Sequence, residues 1–530
     1  MDAFDYIWMG ILAVFQGPSM FEIFGIGIPT TIVMVFGGLL LGILVGSTPG
    51  LAGPMAMAVS LPILISVFGY NEDALLPVLG FLIGVMKGST IGGAVPAILF
   101  NTPGTPDAYM TTLDGYPMTK KGQAGKALRV AHFSSVTGDT VSDLVLFTSA
   151  PFLAIMVEAY LDLPEKTALI ILSLSFIAAI VGNSMAKGLI SMALGMLIAY
   201  IGTGEDFYPR LTGDIQVLST GFPIVSVMLG VLIVGEIFKG IEEQWIKKSK
   251  ERITTTALGS DGDNRLTLSE MKSLLPYIGN SAVIGTIIGA LPGIGSTLAA
   301  TLGYATGSRR HEKRKKPEEP NFGEGAPQGV ASTEAANSAV SGSNLIPVLS
   351  LGIPGNAAAV FLILATDSIG GFNPGPSVFH FTTDEVNTEL VIAFGLFTIM
   401  FIANVLNWTI GGAFMRSMGI MTKAPKEYVL PIVLLISLTA IYTQEMNMYA
   451  IWFTLAFGVL GYLFRKFDIS PLPFVIAYIL AGKLETSARQ SFEATGGDPW
   501  FLLSSGTSIT FLLLSVGVII FFSSGKKIGN

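Results

Sequence analysis

The strongest constraint on the fold is a run of 49 residues without a charged side chain, from Ile23 to Asn71. A helix needs about 20 predominantly apolar residues to cross a bilayer. Only 13% of the 530 residues are charged and the mean hydropathy is +0.64, whereas about 25% of residues are charged in soluble domains. Further uncharged runs occupy 215–235, 273–308, 335–366, 390–415 and 499–525. The sequence therefore predicts an all-α polytopic membrane protein with roughly 10–14 membrane segments.

Composition also excludes several kinds of chemistry. The chain has no cysteine, which excludes disulfides, thiol catalysis and iron–sulfur clusters. Its histidines, His132, His311 and His380, are far apart in sequence and form no recognisable metal motif. The phosphate-binding pattern G-x-x-x-x-G-K-[ST] does not occur in the sequence. We therefore expect a protein that is not an enzyme, without cofactor or structural metal, and without a role in nucleic-acid binding.

Two sequence motifs occur twice in the same order. GILVGSTPGLAGPMA (42–56) matches GTIIGALPGIGSTLA (285–299) at an offset of 243 residues, and PAILFNTPG (96–104) matches PVLSLGIPG (347–355) at an offset of 251. The second copy thus has eight extra residues between the motifs, which we expect in its basic segment 309–316. The paired motifs indicate an internal duplication.

Loop charge gives the relative orientation of the two copies. Basic residues 120–129 follow the first P-x6-P-G motif, whereas acidic residues 384–389 follow the second. Since cytoplasmic loops are enriched in Lys and Arg, this reversal predicts inverted-topology repeats, which are typical of secondary transporters. We divide the chain into an N-terminal, interfacial helix (1–22), a repeat 1 transport core (23–130), flanking helices (131–238), a cytoplasmic linker (239–272), a repeat 2 transport core (273–389) and further flanking helices (390–530).

Four Pro-Gly pairs interrupt the apolar segments, at 49–50, 103–104, 292–293 and 354–355. Proline removes a helical hydrogen bond, so each pair predicts a broken helix or a re-entrant hairpin, whose new helix start offers free N–H groups to an anion. Packing kinks are the alternative explanation. The predicted substrate-binding residues are Ser47, Thr48, Pro49, Gly50, Lys87, Asn101, Thr102, Pro103, Gly104, Thr105, Pro292, Gly293, Ser296, Pro354, Gly355 and Asn356.

Specific blocks of the sequence resemble the large membrane subunit of the tripartite tricarboxylate transporters. These are GSTPGLAGP, NTPGTPDAYMTTLDGYP and EAANSAVSGSNLIPVLSLGIPG, and the similarity covers nearly the whole chain. The resemblance implies a multi-pass protein of the bacterial inner membrane that works with a small four-helix membrane subunit and a periplasmic substrate-binding protein. It also implies uptake of citrate-like or other organic carboxylates, coupled to a gradient of sodium ions or protons. The stretch MKGSTIGGA departs from the family pattern, which leaves the choice of substrate open.

Charged residues inside the apolar segments are candidates for function. Lys87 is either a counter-ion for a substrate carboxylate or part of a structural ion pair, since an intramembrane cation needs a partner. Asp139 and Asp143 either carry the coupling ion or form caps and pairs near the basic segment 120–129. Glu334 and Asn337 are further coupling-ion candidates, with a substrate site and an N-terminal cap as alternatives.

Three other segments have simpler interpretations. Asp107 and Asp114 are expected to fix backbone turns, and RRHEKRKK (309–316) is expected to be a solvated cytoplasmic loop.

For the whole protein, a carboxylate transporter subunit is the preferred function. A membrane channel for small organic anions is the main alternative, and a membrane enzyme is disfavoured because no nucleophile–base pair is evident.

Overall fold

The structure, a computed structural model, describes residues 3–23, 26–48, 51–180, 184–203, 208–213, 215–246, 265–293, 295–314, 319–381, 385–418 and 426–523. Within these ranges the α-helices in chain order are α1 Ala3–Phe15, α2 Thr30–Gly46, α3 Gly53–Phe68, α4 Leu75–Phe100, α5 Thr112–Lys120, α6 Ala124–Tyr160, α7 Leu163–Ile180, α8 Met185–Ala199, α9 Ile224–Met228, α10 Gly235–Ile246, α11 Leu268–Gly289, α12 Ser296–Arg314, α13 Pro327–Ser343, α14 Leu345–Leu351, α15 Ala357–Ile369, α16 Thr388–Leu406, α17 Gly412–Ser417, α18 Lys426–Glu445, α19 Met448–Lys466, α20 Leu472–Ala494 and α21 Gly506–Ser523.

The remaining elements are short. Two antiparallel hairpins pair β1 (Ser19–Ile23) with β2 (Ile26–Pro29) and β3 (Gly202–Thr203) with β4 (Pro209–Arg210). π-Helical turns at Leu229–Val234 and Asn407–Gly411 follow α9 and α16. Single 3₁₀ turns lie at Glu72–Ala74, Pro106–Tyr109, Gln216–Leu218, Pro376–Phe379 and Phe501–Leu503.

Six helical stretches in the described part of the chain are long and apolar enough to cross a membrane: Glu72–Phe100, Ala124–Tyr160, Ile224–Glu242, Thr388–Ser417, Met448–Lys466 and Gly506–Ser523. Several shorter apolar helices accompany them, α2 and α3 among them. The chain is thus an all-α polytopic membrane protein, as the sequence predicts. The larger number of membrane segments stays a prediction.

The chain forms two compact units. The first consists of 1–152, 249–291 and 295–429, and the second of 153–248, 292–294 and 430–530. The first unit contains most of both repeat cores, and it also includes 131–152 and 390–429, which we grouped with the flanking helices. In this unit α1 packs against α16, and the Tyr6 hydroxyl accepts a hydrogen bond of 3.2 Å from the Asn387 N–H.

Glycines allow the helices of the first unit to pack at backbone distance. A Cβ on Gly42 of α2 would lie 2.4 Å from the Val85 carbonyl oxygen of α4, and a Cβ on Gly285 of α11 would lie 2.3 Å from the Ala336 carbonyl oxygen of α13. These are the repeat positions recognised in the sequence, since Gly42 and Gly285 differ by 243 and Val85 and Ala336 by 251. The shared glycines therefore serve the same helix–helix contact in each copy.

The helices of the two copies also follow the same order. The helices α2, α3 and α4 of the first copy correspond in sequence to α11, α12 and the pair α13–α14 of the second. The 3₁₀ turn Pro106–Tyr109 with α5 corresponds to the single helix α15. The duplicated motifs thus belong to duplicated helical units.

In the second unit, the guanidinium of Arg465 in α19 binds backbone carbonyls of the π-helical stretch Leu229–Val234. The guanidinium donates to the carbonyl oxygens of Val231 and Leu232, both at 2.7 Å, and to the Glu236 carboxylate. A π-turn interrupts the regular helical ladder, and unpaired backbone carbonyls are costly inside an apolar unit. Arg465 therefore stabilises the irregular stretch Leu229–Val234.

Two predicted segments, 309–316 and 239–272, are only partly described by the structure. The expectation of a loop is wrong for 309–314, because α12 continues to Arg314. Arg309 and residues 312–314 are exposed, as expected of a solvated segment, whereas His311 is buried. Cations near the C-terminus of a helix interact favourably with its dipole, which explains why the basic run extends the helix. The remaining residues, 315–316, and most of the predicted linker 239–272 lie outside the described residues.

Candidate functional site

The two P-x6-P-G motifs end their helices in the same way. In the first motif, α4 ends before Asn101, whose backbone is left-handed (φ 53°). In the second motif, α14 ends before Gly352, whose backbone is also left-handed (φ 69°). The next N–H groups, of Thr102 and Ile353, donate to the carbonyls of Pro96 and Pro347 at 3.3 and 3.2 Å. Only Gly and, less readily, Asn adopt this conformation at low cost. The motif is therefore a helix stop.

New helical turns begin directly after both motifs. Thr105 precedes the 3₁₀ turn Pro106–Tyr109, and Asn356 caps α15 by accepting a hydrogen bond of 2.9 Å from the Ala359 N–H. After the other two Pro-Gly pairs, α3 starts at Gly53 and α12 at Ser296. Each Pro-Gly pair is thus followed by a helix start.

These four helix starts meet at one cavity of about 150 Å³ in the first unit. Gly53, Thr105, Ser296 and Asn356 all line it. The rest of the described lining is uncharged except for Asp107. It consists of Ala52, Pro54, Met86, Ser89, Thr90, Pro106, Asp107, Asn337, Val340, Ser341, Asn344 and Ala358. Asp107 accepts a hydrogen bond of 2.6 Å from the Thr297 hydroxyl at the start of α12.

The lining comes from equivalent positions of the two copies. Gly53 and Ser296 differ by the first offset, 243 residues. Five further lining pairs differ by the second offset, 251 residues: Met86 and Asn337, Ser89 and Val340, Thr90 and Ser341, Thr105 and Asn356, and Asp107 and Ala358. The cavity thus lies between the duplicated halves, and its chemistry differs between them where Met86 corresponds to Asn337 and Asp107 to Ala358.

The structure brings some predicted substrate residues to this cavity and places others elsewhere. Thr105, Ser296, Asn356 and the coupling candidate Asn337 line it, whereas Pro49 and Gly50 lie outside the described residues. The hydroxyls of Ser47 and Thr48 donate instead to the carbonyls of Gly92 (3.3 Å) and Leu44 (3.0 Å). The remaining predicted substrate residues are absent from the described lining: Lys87, Asn101, Thr102, Pro103, Gly104, Pro292, Gly293, Pro354 and Gly355.

Gly104 and Gly293 illustrate why glycine follows proline in these motifs. A Cβ on Gly104 would lie 2.2 Å from the Gly46 carbonyl oxygen, so this glycine allows contact with the end of α2. Gly293 has φ +83°, and a Cβ there would lie 2.9 Å from the Ile177 side chain in the second unit. Both glycines are explained by packing, and their role in substrate binding stays a prediction.

Lys87 lies in a buried cluster of charges beside the cavity. Its ammonium donates to the carboxylates of Asp139 (2.8 Å) and Asp143 (2.7 Å) and to the Asn404 side-chain oxygen (3.1 Å). The Asn404 amide also donates to Asp143 at 2.7 Å. The lysine side chain has no exposed surface. This arrangement matches the structural ion pair, one of the two interpretations that the sequence allows for Lys87. It also pairs the two aspartates with a residue of α4 and not with segment 120–129.

One side chain connects the charge cluster with the cavity. The Ser341 hydroxyl of α13 donates to Asp139 at 2.7 Å, and Ser341 also lines the cavity. A molecule in the cavity would therefore be separated from the Asp139 carboxylate by a single hydroxyl. The sequence does not reveal this connection, because Ser341 and Asp139 are 202 residues apart.

Glu334 is a buried carboxylate whose hydrogen bonds in the described part of the chain come from hydroxyls. Thr111 donates to one carboxylate oxygen, and Ser135 donates to the other at 2.9 Å. The residue has no exposed surface and lies within α13, which begins at Pro327 after the N-cap Ala326. The alternative of an N-terminal cap is therefore wrong for Glu334.

Asp114 fixes a backbone turn, as expected. One of its carboxylate oxygens accepts hydrogen bonds from the N–H groups of Gly323, Gly325 and Ala326 at 2.8–2.9 Å. These N–H groups lie at the start of α13, where a negative charge also interacts favourably with the helix dipole. Asp114 thus holds α13 in position from α5.

The long apolar helices define a polytopic helical membrane protein. The family model described as "Tripartite tricarboxylate transporter TctA family" matches residues 32–476. The chain therefore belongs to the TctA family, whose members are membrane subunits of tripartite tricarboxylate transporters. This confirms the resemblance found in the sequence.

Two curated relatives come from Agrobacterium vitis. The "Uncharacterized 52.8 kDa protein in TAR-I ttuC' 3'region" is 30% identical over 93% of this chain and 93% of its own length. The "Uncharacterized protein in TAR-II ttuC' 3'region" is 27% identical over 44% of this chain and 91% of its own length. No solved structure matches the chain.

Proposed function

We propose that this chain is the permease subunit of a binding-protein-dependent, ion-gradient-driven transporter that imports tricarboxylates or related organic carboxylates. The observation that carries the proposal is the cavity at which the starts of three α-helices and of one 3₁₀ turn meet. Helix N-termini are natural anion sites because their first N–H groups have no partner within the helix. Asp107 is the charged residue of the described lining, so carboxylates would be held by N–H, hydroxyl and amide donors.

The charge of the cavity favours coupling to cations. An organic acid brings two or three negative charges to a site that already contains Asp107 and has neither Lys nor Arg in its described lining. Anions accumulate poorly in such a site unless cations or protons enter with them. Coupling to sodium ions or protons supplies this compensation.

The coupling ion has two candidate sites beside the cavity. The cluster around Lys87 contains two carboxylates for one ammonium, and Glu334 adds a third carboxylate bound by hydroxyls. Such an excess of buried negative charge favours uptake of a cation or a proton. Ser341 connects the first site directly with the substrate cavity.

Inverted repeats account for how the cavity is assembled. In the first unit, α3 of copy 1 packs on α15 of copy 2, while α12 of copy 2 packs on the turn Pro106–Tyr109 of copy 1. This reciprocal exchange is what a two-fold relation between the halves produces, and the reversed loop charges favour an axis in the membrane plane. Movement of such repeats against the flanking helices would open the site alternately to each side.

The partners and the location follow from the family. A small four-helix membrane subunit and a periplasmic substrate-binding protein would complete the transporter in the bacterial inner membrane. The binding protein would deliver the carboxylate to the external side. Helices such as α21, whose Leu513 and Ile520 are largely exposed, would contact lipid or the small subunit.

Uptake into membrane vesicles tests the proposal. The chain is produced with its partner subunits, and uptake of radiolabelled citrate, and of succinate as a second probe, is measured under imposed sodium and proton gradients. We expect saturable uptake that depends on one gradient. Flux that rises linearly with concentration and ignores both gradients would identify an anion channel instead.

A matched pair of serine variants serves as the control. Ser341→Ala removes the hydroxyl between the cavity and Asp139, and it should weaken the dependence on the gradient. Ser350→Ala removes a hydroxyl that donates to the Ile346 carbonyl within α14 and is absent from the described lining. Ser350→Ala should therefore transport like the unmodified protein.

A further inference from the structure

Two asparagines of the cavity have side-chain amides without hydrogen-bond partners in the described part of the chain. Asn337 of α13 and Asn344, between α13 and α14, are 3% and 1% exposed, and neither the oxygen nor the nitrogen of either amide is paired. Both residues line the cavity. Buried amides in native proteins are almost always paired, so two free amides facing one cavity indicate that a ligand completes them.

The equivalent positions of the first copy have no such groups. At an offset of 251 residues, Asn337 corresponds to Met86 and Asn344 to Gly93. In the first copy, the Gly104 N–H donates to the Gly93 carbonyl at 3.2 Å, which brings the two glycine backbones together. In the second copy, the Asn344 amide lies against Gly355 instead, where a Cβ would be 2.9 Å from its oxygen. The free donors are therefore specific to the second half of the cavity.

The spacing of the two amides constrains what they bind. They are seven residues apart, which is two helical turns and about 10 Å along the axis, so they share one face of α13 and its continuation. Two groups at this separation contact opposite ends of a small molecule rather than a single carboxylate. The cavity volume of about 150 Å³ corresponds to roughly five water molecules, which suits a short organic acid.

We infer that Asn337 and Asn344 each bind one carboxylate of the substrate and thereby select acids with at least two carboxylates. The inference rests on the proposed carboxylate transport and assigns its specificity to two residues. An amide donates N–H to a carboxylate without adding charge, so the acid can be released again when the coupling cation leaves. Asp107, from the first half, repels a third carboxylate from its side unless a cation or proton is present.

Equilibrium binding to the purified full-length chain tests this assignment. The ligands are citrate, succinate and butyrate, where butyrate has the four carbons of succinate but one carboxylate fewer. Sodium chloride at pH 6 supplies both possible coupling ions. We expect succinate or citrate to bind at least tenfold more tightly than butyrate, because a hydrogen bond to a charged group is strong.

Variants that copy the first half should remove this preference. Asn344→Gly and Asn337→Met should each weaken binding of the preferred acid about tenfold and leave butyrate binding changed by less than threefold. Asn407→Leu is the matched control, because Asn407 is also fully buried but is absent from the described lining. Asn344→Asp keeps the shape of the side chain but replaces the N–H donor by a negatively charged oxygen. It should therefore weaken binding of the acid more than Asn344→Gly does.

The possible outcomes separate the two proposals. If none of the three acids binds the unmodified chain, carboxylate transport and the assignment both fail. If the acids bind but butyrate binds as tightly as succinate and citrate, or if both asparagine variants keep the preference, only the assignment fails. If Asn344→Asp binds the acid more tightly in sodium, the amide serves a cation, and the assignment is again wrong.

Discussion

Replacing Lys87 by methionine should destabilise the first unit by about 3–5 kcal/mol, because the change removes one partner of a buried ion cluster. The Lys87 ammonium lies 2.7–2.8 Å from both aspartates. Without it, the carboxylates of Asp139 and Asp143, whose side chains are only 4% and 12% exposed, lose the cation that they share. Folded proteins are stable by only about 5–15 kcal/mol. The thermal midpoint and the monodisperse fraction in detergent should both fall markedly.

A second variant separates charge from shape. Lys87→Met combined with Asp139→Asn and Asp143→Asn removes the whole charge cluster, and such replacement of a complete buried ion pair is often nearly neutral. The triple variant should therefore regain most of the lost stability. Lys166→Met is the exposed control, since its ion pair with Glu158 at 3.0 Å is partly solvated and should contribute less than about 1 kcal/mol. An unchanged midpoint for Lys87→Met would contradict the ion cluster.

Replacing Gly88 by leucine should prevent α2 and α4 from packing. A Cβ on Gly88 would lie 2.3 Å from the Leu39 carbonyl oxygen, and the nearest backbone nitrogen, of Ile43, would be 2.9 Å away. Neither atom can move without separating the helices, and overpacking of this kind costs about 1–3 kcal/mol for added methylenes and more for backbone clashes. We expect little folded protein, measured by size-exclusion chromatography after solubilisation.

Gly279 provides the control for this substitution. It also lies within a helix, α11, but a Cβ there would have no atom within 4 Å. Gly279→Leu should therefore be recovered like the unmodified chain. Gly285→Leu, at the equivalent contact of α11 with α13, should fail as Gly88→Leu does. Normal recovery of Gly88→Leu would show that the close approach of α2 and α4 is not required.

The sequence is most informative where backbone chemistry dictates the structure. The Pro-Gly pairs at 103–104 and 354–355 predict breaks in the apolar segments, and in the structure α4 ends at Phe100 and α14 at Leu351, three residues before Pro103 and Pro354. The two offsets also identify equivalent positions, and applying them to Thr90 would have suggested Ser341. Fold class and duplicated helix order can thus be obtained from apolar runs and Pro-Gly patterns.

The site itself depends on contacts that the sequence does not encode locally. Lys87 reaches Asp143 across 56 residues and Asn404 across 317. Asn344 stands in the segment SGSNLIP with no neighbouring charge, and only its burial without a partner makes it conspicuous. Gly293 belongs to a Pro-Gly motif but packs on Ile177, so the motif alone does not distinguish a packing role from a role in ligand binding.

Substrate protection of a single cysteine tests the central claim, that the cavity between the repeats holds the transported carboxylate. The natural chain has no cysteine, so Thr90→Cys places the single thiol in the cavity lining. The rate at which this thiol forms a mixed disulfide with a small methanethiosulfonate reagent, with release of methanesulfinate, is measured against increasing citrate or succinate, with sodium chloride present. Our account predicts a rate that falls saturably with one of these acids. A rate that stays constant at every concentration of both acids would contradict it.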